Sequence, residues 1–473
     1  MVESSAIEPD SKVSSPFQTT PRARSPSCAA APNFLSDRAA STEIDGTNKQ
    51  SADSCPSRNP ASSPSCELSP SRVLADSSAG RPNPTTFPFE SITLNIKPPL
   101  DGRSSESVAV QLDGEALNEA LQYGPSAGLS SIRGWLTDLQ AQVHKREIGE
   151  NWAVSLGSGS QDLMSKCFQA VLNPGDPILV ETPVYSGVLP TLRQLGAKCI
   201  EVDVDDEGLS ADRLAAILDN WPTGEKKPRV IYSTPVGCNP SGCSSSAQRK
   251  LDVLQVMKKH DLLMMEDDPY YYLTTPLIPS YFELEKQVFP EGGHVVRFDS
   301  FSKLLSAGIR LGFATGPKDI LHAIDVHTAG ANLHTSALAQ AIAHSLLSHW
   351  GIDGFLAHSR AVSEFYRERR DRFEATARKE LGDLATWVSP VAGMFLWIDL
   401  SPGGIEDSYK LIRNEALAKG VLAVPGAAFY PSGRKSPHVR VSFSVIDLED
   451  ESPEGFRRLA EAIRDKRKEL GLE

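Results

Sequence analysis

From about residue 79 the chain alternates short aliphatic and β-branched runs with stretches in which apolar positions recur every three to four residues. The short runs are NWAVSLG (151–157), PILVET (177–182), RVIYSTP (229–235), LLMMED (262–267), HVVRFDS (294–300) and RLGFATG (310–316). Between them lie the helical patterns SQDLMSKCFQAVL, ADRLAAILDNW and AQRKLDVLQVMKKH. Strands separated by helices of ten or more residues predict βαβ units and a largely parallel sheet, with helices covering both faces. In such a sheet a ligand binds at the carboxyl ends of the strands.

A second regime follows. A Ser/Ala-rich helical stretch around 334–347 precedes a long charged helical pattern from Asp353 to Glu380. MFLWIDL (394–400), the helix EDSYKLIRNEALAKG, VLAVPG (421–426), HVRVSFS (438–444) and the helix PEGFRRLAEAIRDKRKEL then predict a smaller α+β lobe. Before residue 76 the pattern is absent. SRNPASSPSCELSPSR typifies a Ser/Pro-rich segment that buries too little apolar surface to offset its ordering entropy. The expected division is a mostly disordered 1–75, with a short amphipathic helix at 33–41 as the exception, an arm over 76–115, a large domain over 116–350, and a linking helix with a small domain over 351–473.

Composition narrows the partners. A formal charge of −12 argues against phosphate backbones and anionic lipid surfaces, which select for excess Lys and Arg. No uninterrupted apolar window of membrane-spanning length occurs, and the start MVESSAIEPDSK has no apolar core or Arg-rich pattern, so a cytoplasmic protein is expected. Seven cysteines without a CxxC pair indicate neither a disulfide framework nor a zinc site.

The chemistry gathers at the strand ends. In DSFSKLLSAGIRLGF (299–313), Lys303 and Arg310 stand among hydroxyl and apolar residues. A lone lysine on a turn is most often a solvated surface residue, but on an apolar turn it loses hydration and favours the neutral, nucleophilic amine. Ser300, Ser302 and Arg310 add donors for a phosphate dianion. GSGSQDL (157–163) sits at a strand-to-helix junction, where Ser160 and Gln161 either cap the helix or complete a phosphate cup. Asp267 in MMEDDPYYYL either caps a turn or pairs with a protonated pyridine nitrogen, and is preferred to Asp268 because Tyr270 lies three residues on. Asn239 before a proline is a turn former or a donor to a phenolic oxygen. Tyr185 packs a strand end or stacks on a flat ring. Arg440 faces solvent or grips a substrate carboxylate through its fork. Together these residues match the needs of pyridoxal 5′-phosphate: an amine, a ring-nitrogen carboxylate, phenolic-oxygen donors, a stacking ring and a phosphate cup.

Their order, with GRPNPTTFPF, LQYGPSAG, GSGSQDLMSK, NPGDPILVETPVYSG, NPSG, EDDPYYYL, SFSK and VRVSFS, resembles the fold-type I, class I/II aminotransferases from about residue 79 onward, in particular the kynurenine/2-aminoadipate and fungal aromatic amino acid branch. The resemblance implies that Lys303 holds the cofactor and acts as base, that Asp267 binds the ring nitrogen, and that Asn239 and Tyr270 bind the phenolic oxygen while Tyr185 stacks. It further implies that Ser160, Gln161, Ser300, Ser302 and Arg310 bind the phosphate, that Tyr123 reaches the phosphate of a partner subunit, that Arg440 binds the α-carboxylate, and that Gly80 lies in an arm over the substrate. A homodimer with composite sites and a ping-pong transfer from an aromatic or 2-aminoadipate/kynurenine-like amino acid to 2-oxoglutarate would follow. A β-lyase or decarboxylase on the same fold is the alternative, and an effector-binding regulator disagrees with the absence of a helix-turn-helix pattern in 1–75. The lengthened Ser-rich region before AGRPNP, and Cys238 in place of the family's usual polar amide or His, depart from the pattern.

Overall fold

A computed structural model describes residues 80–102 and 105–472. Residues 1–75, with the helix expected at 33–41, lie outside the described residues. The strands are β1 (Ser91–Ile96), β2 (Val108–Asp113), β3 (Ala153–Gly157), β4 (Pro177–Thr182), β5 (Lys198–Asp205), β6 (Gly208–Leu209), β7 (Val230–Ser233), β8 (Leu263–Asp267), β9 (Val295–Ser300), β10 (Gly312–Gly316), β11 (Phe395–Asp399), β12 (Val424–Pro425) and β13 (His438–Ser442). β1 and β2 form an antiparallel pair, and β3 to β10 form an eight-stranded sheet of order β3-β10-β9-β8-β7-β4-β5-β6.

The central strands are aliphatic without alternation because both faces are covered. In β4, Ile178 and Val180 pack on one side and Leu179 on the other. β7 splits in the same way, with Val230 and Tyr232 against Ile231, as does β8, with Leu263 and Met265 against Met264. The helices Ser160–Val171 and Lys318–Ala331 cover the first side; Ser130–His144, Ala211–Asp219 and Ala247–His260 cover the other.

β10 departs from the parallel expectation. It runs antiparallel between β9 and β3. An antiparallel neighbour needs no crossover helix, so the short connection 301–311 carries the chain from the end of β9 directly to the start of β10. Lys303 and Arg310 therefore sit at the same sheet edge as the carboxyl ends of β3, β4, β7, β8 and β9.

The two expected helical stretches after residue 334 form one run, Ala337–Leu381, broken at Gly351, whose φ of +66° and ψ of 176° interrupt the helix. Beyond it, β11, β13 and β12 form a small antiparallel sheet. Leu396, Ile398 and Val439 pack with Phe373, Phe456, Leu459 and Ile463 in a separate core. Strand alternation then turns Phe395, Trp397 and Arg440 to the opposite face. The VLAVPG run yields only two paired residues, because Pro425 has no N–H for the ladder and the chain bends at once into the turn Gly426–Phe429. EDSYKLIRNEALAKG is helical, with a wide π-type stretch over Leu411–Ala416.

One charged cluster lies inside the large lobe. Arg297 of β9, fully buried, donates to Asp299 at 2.9 and 2.8 Å and to Asp268 at 2.9 Å, and lies 3.4 Å from Glu266. Glu266 in turn accepts from the first amides of the helix Tyr281–Val288, at Tyr281 and Phe282. Removing Arg297 takes away the guanidinium that bonds Asp268 and Asp299 and lies beside Glu266, leaving buried carboxyl groups without their hydrogen-bonded counter-charge. Arg297→Met is expected to destabilise the protein by about 3–5 kcal/mol, read as a lower urea midpoint with an unchanged slope.

Candidate active site

The edge where five strands end and β10 begins encloses a cavity of about 190 Å³. Its wall includes Ser160 and Gln161 after β3, Tyr185 after β4, Asn239 after β7, Asp267 and Tyr270 at the end of β8, Ser300, Ser302 and Lys303 after β9, and Arg310 before β10. Ten of the residues singled out from the sequence thus converge from six strand termini. Three larger cavities lie elsewhere among the described residues, and none of the three brings a lysine, a buried aspartate and a guanidinium together.

The cup end is built by glycine. Gly159, with φ of +91°, is the cap residue of the helix Ser160–Val171, and a Cβ there would lie 2.5 Å from Nη2 of Arg310. A Cβ at Gly312 would lie 2.4 Å from the backbone N of Ser160. Both absences let the helix start, the Arg310 fork and β10 approach one another. The hydroxyl of Ser160 does not cap its helix; the Asp162 carboxylate takes the Ser158 amide at 3.0 Å instead. Helix amides and dipole at this end favour an anion. Arg310 donates to Oγ of Ser302 at 3.3 Å and to the Ser158 carbonyl at 3.2 Å, and Ser300 accepts from the Ser302 amide at 3.2 Å.

Lys303 is half-buried, and burial first, then the Arg310 charge, lower its pKa from the ordinary lysine range. Asp267 is fully buried at the end of β8. Burial is the largest influence on it, with the nearby Glu181 charge adding to the effect, and its pKa rises to about 7 although Tyr232 donates to Oδ2 at 2.5 Å. Oδ1 of Asp267 has no hydrogen-bond partner, and neither has Oε1 of Gln161. A buried carboxyl with an unused acceptor is costly unless a ligand supplies a donor, and a protonated ring nitrogen would do so. The residues present fit pyridoxal phosphate.

Asn239 accepts from Nη1 of Arg440 at 2.8 Å, which links the two lobes across the cavity. The Arg440 guanidinium lies over Phe395 at 4.3 Å and Phe429 at 5.0 Å. The Tyr185 ring folds over Gly187, where a Cβ would meet its Cζ at 2.3 Å. Burial keeps the Tyr270 phenol well above its usual pKa, so it stays protonated as a donor. Cys238 does not line the cavity. Its thiol points to the Glu181 carboxylate at 3.3 Å, a group already bonded by Ser233 and the Thr234 amide.

Two residues are not brought in. Tyr123 is exposed, edge-on to His334, and Gly80, the first described residue, has nothing within 4 Å of the place a Cβ would take. Conversely Met164, Thr234, Pro269 and Phe395 line the cavity without having been singled out. Phe395 was within reach, because it has the same strand parity as Trp397, which pairs with Arg440.

Comparisons with known proteins identify the family. The family model "Aminotransferase class I and II" matches residues 92–453. An aminotransferase of Emericella nidulans, tdiD, is 40% identical over 81% of this chain and 87% of its own. A mitochondrial kynurenine/alpha-aminoadipate aminotransferase of Bos taurus is 38% identical over 82% of this chain and 91% of its own. The crystal structure of the aromatic aminotransferase Aro9 of Candida albicans superposes with a TM-score of 0.77 at 26% identity, covering 93% of this chain and 98% of that one. The two sheets, the strand-end cavity and these matches establish that the chain belongs to the class I and II aminotransferases of fold-type I, enzymes that transfer amino groups with pyridoxal phosphate.

Proposed function

We propose that the cavity performs a ping-pong amino transfer from an aromatic, kynurenine-like or 2-aminoadipate-like L-amino acid to a 2-oxo acid such as 2-oxoglutarate. The observation that carries the reading is the buried Asp267 carboxyl with one unpaired oxygen in a cavity shared with Lys303. When bound, pyridoxal phosphate supplies an imine-forming aldehyde and an electron sink for the substrate's Cα electrons. Lys303 anchors it and, once freed as a neutral amine, takes the proton from the substrate Cα and returns it, a role that burial and Arg310 favour by lowering its pKa. Ser160, Gln161, Ser300, Ser302 and Arg310 hold the phosphate. Asp267 accepts from the ring nitrogen, Tyr185 covers the ring, and Tyr270 with the Asn239 amide donates to the phenolic oxygen.

Arg440 meets the α-carboxylate with the part of its fork that Asn239 leaves unused. The aromatic donor class is supported by Tyr185, Tyr270 and Phe395 in the wall and by the names of the relatives. Tyr123 is exposed in one chain, as a residue that completes the phosphate site of a second copy would be, and Gly80 is placed in an arm over the substrate. The assembly is accordingly a homodimer.

The test is the visible spectrum of the purified protein during addition of L-tyrosine, L-phenylalanine, L-kynurenine, L-2-aminoadipate and L-glutamate. A cofactor band that converts with the aromatic donors, and that Lys303→Ala abolishes, supports the reading; a band unaffected by every donor overturns it. Arg440→Lys keeps the charge but loses the fork, so KM for the amino acid should rise about 10–100-fold with a smaller change in kcat, the size of one charged hydrogen-bond pair.

Asp267 gives a pH prediction. Its folded pKa of about 7 exceeds the unfolded value near ~3.9, so the folded protein retains a proton there that the unfolded chain has released. Stability of the cofactor-free protein then falls as pH rises from about 4 to 7 and stays low above. Cofactor-free Asp267→Asn should melt higher than the cofactor-free parent at pH 8, with the difference shrinking toward pH 5. In the loaded enzyme the same change should lower kcat by roughly 10²-fold or more, as loss of a preorganised charge does.

A further inference from the structure

The turn that carries Lys303 is also held from behind, by a histidine outside the cavity. His358 lies in the helical run after Gly351 and is 8% exposed. Its Nδ1 is 3.3 Å from the Leu100 amide nitrogen, and its Nε2 is 3.0 Å from the Leu304 carbonyl oxygen, on the residue that follows Lys303. An amide only donates and a carbonyl only accepts. The ring is therefore neutral, with its proton on Nε2.

Trp350 lies against this ring at 4.6 Å and donates its Nε1–H to the Lys97 carbonyl at 3.0 Å. Trp350 and His358 thus grip the segment that follows β1, and His358 extends that grip to the lysine turn. Within the turn, the Phe301 carbonyl takes the amides of Leu304, Leu305 and Ser306. The Leu304 carbonyl is fixed by His358. Lys303 borders two cavities, the one described above and a second of about 650 Å³ shared with Ile96, Leu100, Leu304 and His358. The carbonyl that His358 holds is one residue past this lysine, in the same turn.

We propose that His358 is a positioning residue for Lys303: its Nε2–H anchors the Leu304 carbonyl so that the amine is presented to the cofactor cavity, and its Nδ1 ties that orientation to the docking of Lys97–Leu100. This inference rests on the reading of Lys303 as the cofactor lysine. It assigns the arm a part in setting the reactive group, separate from covering substrate.

The two bonds can be cut separately. His358→Gln retains a donor near the Nε2 position, His358→Asn retains an acceptor near Nδ1, and His358→Ala retains neither. Hydrogen exchange of the cofactor-free full chain reads the two segments directly, while the loaded enzyme reads the pH midpoint of the cofactor's visible band and kcat against KM. In His358→Ala and His358→Asn, amides 301–306 should exchange about tenfold faster, the midpoint should shift, and kcat should fall while KM changes little. His358→Gln should restore the turn, the midpoint and kcat, yet leave residues 94–100 exchanging fast. The proposal is overturned if His358→Asn behaves as the parent at 301–306, or if His358→Gln behaves as the alanine variant. Should Lys303→Ala retain the covalent cofactor band, the reading of Lys303 fails on its own, and exchange in the cofactor-free chain still decides whether His358 holds the turn.

Discussion

A strand buried on both faces can offer polar groups to a ligand only at its ends, because everywhere else its side chains lie in apolar layers. β4, β7, β8 and β9 are such strands, buried along their whole length. Since they run parallel, their carboxyl ends fall at one edge. Each short polar segment beyond a strand therefore meets the others. The site is a consequence of the sheet's direction, with the small lobe adding Arg440 and Phe395 from a face that its own core does not use.

That edge concentrates charge in a dry place. Asp267 and Glu181 are carboxyls that burial pushes toward the neutral form, and Lys303 is an amine pushed the same way. The fold keeps them because their environment is useful: an unpaired oxygen on Asp267 is a cost without a ring nitrogen and an asset with one. Arg297 and its three carboxyls, on the other side of the same strands, bond mainly to one another and do not line the cavity. Adjacent aspartates thus have opposite fates. Each keeps one oxygen without a partner, but Asp267 lines the cavity, whereas Asp268 turns away to bond Arg297.

Much of this was legible in the sequence. Continuous runs such as PILVET and LLMMED read as buried strands, and the polar residues following them read as ligands, because strand ends are local features. Less was legible at the margins. β1, β2 and β5 and the helices Gly114–Leu121, Ser130–His144 and Lys318–Ala331 were not singled out, being either strands of mixed exposure or helices with no polar punctuation of chemical interest. VLAVPG looked like a strand until Pro425 limited it to two paired residues.

By itself the sequence determined the alternation of strand and helix, the buried character of the central strands and the order of the chemical residues, since these depend on neighbours three to ten positions apart. Only the tertiary structure decided the rest. It ran β10 antiparallel beside β9, so that Lys303 and Arg310 face the same cavity. It joined Asn239 to Arg440 across 201 residues and Leu100 to Leu304 through His358, and it left Tyr123 outside the chain's own cavity. Each of these is a contact between segments far apart in the chain, and periodicity along a sequence carries no information about which distant turns will share an edge.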